Sequence, residues 1–104
     1  MNVKNGMRAI HPGEILREEF LTPMGMSSNA LAQALGVPAN RVTSIVAEKR
    51  GVTADTALRF ARYFGTTPQF WLELQQAYEL RIAEQSLGSA LKAIRPAKRL
   101  RAVG

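Results

Sequence analysis

The stretch "LAQALGVPANRVTSIV", Leu31 to Val46, decides the fold. Helix-like text flanks a glycine and a proline that stand two residues apart. Two helices joined by so short a turn must cross at a steep angle. The first needs a residue with positive φ just past its end, and Gly36 adopts that conformation at least cost. Pro38 suits the opening of the second, where its missing N–H has no intrahelical partner to lose. Ala32, four residues before Gly36, is small enough for close approach. Val37 is placed for burial in the turn, and Val42, Ile45 and Val46 form the apolar face of the second helix. The pattern is that of a helix-turn-helix.

Working outward, "HPGEILREEF" (11–20) reads as a helix start. Pro12 suits the first turn, Glu14 favours the positive end of the helix dipole, and Ile15, Leu16 and Phe20 form a stripe. "TPMGM" (22–26) breaks it, and Ser27 or Ser28 caps the next helix. Gly51 closes the helix that Pro38 opens. Thr53 caps a fourth, with Ala57, Phe60, Ala61 and Phe64 at helical spacing and Gly65 at its end. Thr67-Pro68 opens a longer fifth helix with Trp71, Leu74, Tyr78 and Ile82 as its stripe, broken at Gly88. The expected fold is all-α: five helices, the second and third forming the helix-turn-helix. Residues 1–10 read as an irregular arm, 11–88 as the domain, and 89–104 as a basic flexible tail interrupted by Pro96.

The 104 residues suffice for one domain, and 46% apolar content allows a real core. No run of eighteen apolar residues and no signal-peptide pattern appears, so a cytoplasmic protein without membrane contact is expected. The net charge of +6 is unevenly spread. Lys92, Arg95, Lys98, Arg99 and Arg101 face no acid, whereas residues 1–91 hold nine bases and eight acids. Between 38 and 62, Arg41, Lys49, Arg50, Arg59 and Arg62 oppose only Glu48 and Asp55.

At about 100° per residue, Asn40, Ser44 and Ala47 lie opposite the apolar face of the third helix. Thr43 flanks them on one side, Arg41 and Glu48 on the other. Short side chains with hydrogen-bonding ends suit the major groove, where asparagine pairs with adenine and arginine with guanine. Ser28, Asn29 and Gln33 are candidates to hold phosphate from the preceding helix. Ala39, Lys49 and Arg50 complete the candidate DNA-binding set.

From about His11 to Leu80 the chain resembles the HigA/VapI-type antitoxins, a branch of the lambda-repressor-like (XRE-type) regulators. The matching pieces are "HPGEIL" (11–16), "LAQALGV" followed by Arg41 and Ile45, "KRGVTADTALRFARYFGTTPQFWLELQ" (49–75) and Tyr78. The resemblance implies a homodimer that binds a palindromic operator, represses its own operon and pairs with a small basic ribonuclease toxin acting on ribosome-associated mRNA. Leu74, Tyr78 and Ile82 exceed what one small core needs and are assigned to the dimer interface. Glu14, Glu18 and Glu19 on the first helix are assigned to the basic toxin. A solitary regulator without a toxin is the alternative. Catalysis has little material: one histidine, one aspartate and no cysteine exclude a nucleophilic triad or zinc site, and no metal or cofactor is expected. His11 reads as a cap, Asp55 as an aid to the start of the fourth helix.

Overall fold

The computed structural model describes residues 8–98. Its five helices are α1 (12–24), α2 (Ser28–Leu35), α3 (Ala39–Val46), α4 (Ala54–Phe64) and α5 (Pro68–Lys92), with no strand among the described residues. The five-helix expectation is borne out. Residues 8–10 of the expected arm are non-helical; residues 1–7, and Arg99 and Arg101 of the tail, lie outside the described residues.

Helix α1 runs through Thr22-Pro23 and ends within the 22–26 stretch where the sequence places the break. It begins as an α-helix (Pro12–Ile15), widens into a π-helix (Leu16–Leu21) and closes with Thr22–Met24. Proline in an ordinary helix collides with the carbonyl four residues back. Here the Thr22 N–H donates to the Arg17 carbonyl, five residues back. This wider closure accommodates Pro23 and also turns Leu16 and Leu21, five apart, to the core, where they are 0% and 4% exposed. The helix ends one residue later, at Gly25, with φ 62°.

Helices α2, α3 and α4 pack with α1 and α5 around Trp71, Phe60, Leu16, Leu31, Ile45 and Val42, all fully buried. Trp71 sits among Phe20, Phe60, Phe64 and Phe70, with ring centroids 4.8 to 6.0 Å away. Its indole N–H donates to Thr66 Oγ1 at 2.8 Å. Thr67 caps α5 by accepting from the Phe70 N–H.

Two of the three residues assigned to a dimer interface are used within the chain. Leu74 packs against the core, and the Tyr78 ring meets His11 edge-on at 4.8 Å. Ile82 is exposed, as are Leu80, Leu87, Leu91 and Ile94. Gly88 does interrupt α5, with φ 16° and ψ −98°, but the helix resumes and runs to Lys92. Ser89 to Lys92, assigned to the tail, are therefore helical. Ser89, Ala90, Leu91 and Lys92 tolerate a helix well enough, and the chain leaves it before Pro96, whose ring disfavours helix in the residue ahead. No helix of the described residues is long and apolar enough to cross a membrane.

His11 is the N-cap of α1, as expected, but it is buried. Its Nδ1 accepts from the Gly13 N–H at 2.8 Å, which requires a neutral ring. Burial holds its pKa below the ordinary 6.5, against the opposing pull of the Glu48 carboxylate. The folded form thus resists a proton that the unfolded chain accepts. The stability contributed here is complete above pH 6.5 and is lost progressively as the pH falls below it. His11→Asn keeps a capping oxygen without a titrating group and is expected to flatten that loss. Thermal unfolding of both proteins from about pH 8 to about pH 5, the range in which histidine switches, checks it; equal acid sensitivity contradicts it.

Candidate nucleic-acid interface

The turn between α2 and α3 forms as its residues require. Gly36 takes φ 73°, and the Val37 N–H returns to the Ala32 carbonyl at 3.1 Å, closing the helix end. Pro38 is the N-cap of α3 rather than its first residue: its ψ of 146° is extended, and the helix starts at Ala39. A proline offers no capping oxygen, so no side chain caps α3. Its first turn is left to Ala39 and Asn40, both exposed. On α2, Ser27 is the cap, its Oγ accepting from the Ala30 N–H at 3.0 Å, which puts Ser28 and Asn29 in the first turn.

These two helix starts meet. A shallow hollow between them is lined by Ser27, Asn29, Ala30, Gln33, Val37 and Ala39, so Asn29, Gln33 and Ala39 of the candidate set share one surface. Asn40 and Thr43 are exposed on α3, and Ser44 is half-buried. The opposite side of α3 is closed, with Val42 and Ile45 at 0% exposure.

Helix α3 stops at Val46, short of the expected Gly51. The Glu48 N–H donates to the Ile45 carbonyl and the Lys49 N–H to the Ser44 carbonyl, a Schellman end with glutamate at the position glycine usually fills. Glu48 takes φ 63°, uncommon for a residue with a Cβ. Lys49 and Arg50 therefore project from a loop, both exposed. That loop is anchored by α5: Gln75 Oε1 accepts from the Val52 N–H at 2.8 Å, and its Nε2 donates to Glu79 at 2.7 Å.

Arg41, also in the candidate set, is turned towards α4. Its guanidinium donates to Asp55 Oδ1 at 2.8 Å and lies 3.5 Å from Thr56 Oγ1. Arg59 donates to the same Asp55 oxygen at 2.7 Å and to the Leu35 carbonyl at the end of α2 at 2.9 Å. The two arginines, Arg59 foremost, hold the Asp55 carboxyl below its usual range. Sequence reasoning missed Arg59 and Gln75. The i,i+4 spacing of Asp55 and Arg59 was a visible signal; the links to Arg41 and Val52 span 14 and 23 residues and left none.

The acidic face assigned to the toxin is partly neutralised. Glu14 accepts two bonds from Arg8, each 2.9 Å, and its carboxyl is held below the usual range by them. Glu18 pairs with adjacent Arg17 at 3.0 Å. Glu18 and Glu19 are both exposed. Arg17 also reaches the Val46 carbonyl at 3.3 Å, the negative end of the α3 dipole.

The helix-turn-helix family model matches residues 16–71. Virulence-associated protein I of Dichelobacter nodosus is 63% identical over 82 residues, covering 79% of this chain and 76% of that protein. Antitoxin HigA-1 of Vibrio cholerae is 45% identical over 78 residues, covering 74% and 72%. The structure of Pseudomonas aeruginosa antitoxin HigA with the higBA promoter superposes with a TM-score of 0.83 at 50% identity, covering 86% of this chain and 98% of that one.

One contact sets the depth of α3. Gly13 lies so close to it that an added Cβ would collide with the Ile45 carbonyl. Gly13→Ala is expected to push α1 and α3 apart and to cost about 1–3 kcal/mol, the usual range for overpacking. Urea denaturation measures it; an unchanged midpoint contradicts the contact.

Proposed function

The chain belongs to the helix-turn-helix family of the HigA antitoxins and virulence-associated protein I, and from that premise we propose that it binds its own operator as a homodimer, represses that operon and neutralises a small basic ribonuclease toxin. The carrying observation is the surface formed by the two helix starts: exposed Asn40 and Thr43 on α3 beside the hollow containing Asn29, Gln33 and Ala39. Its polar ends suit base edges and phosphate oxygens. Ser28, Ser44, Lys49 and Arg50 extend it, the last two as phosphate contacts. One motif reads only a few base pairs, so two copies spaced by about one DNA turn, roughly 34 Å, supply workable affinity. The exposed apolar side chains of distal α5, Ile82 included, offer that pairing a surface. The role is binding rather than catalysis, in the cytoplasm: the chain's one histidine is already engaged as a helix cap.

Asn40 is the foremost base reader. Its amide offers a donor and an acceptor together, which adenine matches. With duplexes from upstream of its own coding sequence, Asn40→Ala is expected to cost about 1–3 kcal/mol per half-site and to relax preference at one base position. Arg50→Ala weakens all sequences alike. Titrations against operator variants at one salt concentration separate the two; uniform weakening by Asn40→Ala overturns its assignment.

Toxin contact is assigned to the outer face of α1 through Glu18 and Glu19, with Glu14 held back by Arg8. Charge reversal of Glu18 and Glu19 is expected to weaken toxin binding and spare operator binding. Co-purification with the product of the neighbouring reading frame, together with operator titration, checks this. Unchanged toxin binding rejects that face, and a neighbouring product that never binds favours a solitary regulator.

A further inference from the structure

Arg41 flanks Asn40 on α3, on the side opposite Thr43, from which an extended guanidinium could reach a phosphate or a base edge. Instead it is turned onto α4, 2.8 Å from Asp55 Oδ1. Asp55 is no loose surface acid. It lies in the first turn of α4, and Arg59 Nε donates to the same oxygen at 2.7 Å. Arg59 is fixed in turn by the last carbonyl of α2, Leu35, at 2.9 Å. The carboxylate is thus held by Arg59 and engages Arg41 through the same oxygen.

We propose that Asp55 limits the sequence-independent part of DNA affinity: by holding the Arg41 guanidinium against α4, it withholds from DNA a cation that would strengthen binding to every sequence alike. The inference rests on the DNA-binding reading above. Phosphate contacts raise affinity without carrying sequence information, whereas base contacts discriminate. Specificity is the ratio of operator to random-sequence affinity, so an added phosphate contact raises both affinities and leaves the ratio unchanged. Between 38 and 62 the chain carries five bases and two acids; removing the Asp55 charge leaves five against one. A carboxylate that engages Arg41 limits unspecific attraction while leaving Asn40 and Thr43 uncovered. Glu48, the other acid of that stretch, accepts no hydrogen bond from Arg41; Asp55 and Thr56 do.

The test compares wild type, Asp55→Asn, Arg41→Ala and the double variant, each on the upstream duplex and on a random-sequence duplex of equal length, across a salt series. Asp55→Asn is expected to bind random duplex about fivefold more tightly per subunit near physiological salt, with log K against log salt steeper by roughly 0.9 per subunit, the value of one phosphate contact. The operator-to-random ratio does not rise. The double variant loses the gain. Arg41→Ala alone leaves the salt slope unchanged, because that guanidinium makes no phosphate contact in the wild type. This arm decides the matter even where Asp55→Asn fails to fold by circular dichroism. Two results overturn the proposal: a folded Asp55→Asn that binds random duplex no better, with an unchanged slope, or an Arg41→Ala whose slope flattens by about 0.9 per subunit. A wild type that binds neither duplex defeats the DNA-binding reading itself, which is distinct from failure of the clamp alone.

Discussion

An eight-residue helix does not hold itself together in water, and α3 has eight residues. Its existence depends on what surrounds it. Val42 and Ile45 are sealed in the core. Its carbonyl end meets α1, through Gly13 against Ile45 and Arg17 on the Val46 carbonyl. Its flank is tied to α4 by Arg41 on Asp55. Its start is fixed by the turn at Gly36. With four sides held, only the fifth, bearing Asn40 and Thr43, is open. The surface proposed to read DNA is therefore the remainder after packing, and its rigidity is supplied by residues that never touch it.

How much of this could be read beforehand follows from the range of each interaction. Local chemistry was legible: Gly36, Gly65 and Gly25 take positive φ, Ser27 and Thr67 cap with their side chains, and the stripe Ala57, Phe60, Ala61 and Phe64 turns to the core. Local signals also misled where two competed. The break expected at 22–26 falls at Gly25, only after a wider helical turn has absorbed Pro23. Glycine at position 51 argued for the end of α3, yet the chain reverses earlier, at a glutamate. Contacts distant in sequence left no trace. Nothing at position 41 announces Asp55, nothing at 75 announces Val52, and nothing at 78 announces the His11 ring.

Helix α5 divides at Tyr78. Before it, Phe70, Trp71 and Leu74 close the core, and Gln75 anchors the loop bearing Lys49 and Arg50. Beyond it, Leu80, Ile82, Leu87 and Leu91 are exposed among the described residues. One element thus has two characters: its first half is built into the core, and its second carries the exposed apolar side chains proposed above for pairing. Leu74 and Tyr78, assigned to association, also make contacts within the chain, because helical periodicity reports which side is apolar, not which neighbour covers it.

The placement of Trp71 has a practical side. It is the only tryptophan in the chain, fully enclosed, ringed by phenylalanines and bonded through its indole N–H to Thr66. It is on α5, whereas the proposed reading surface is formed by α2 and α3. The protein therefore carries an intrinsic fluorophore whose surroundings are those of the core. Emission from that single ring monitors whether the interior is intact, without a label on the surface that must stay uncovered to meet DNA.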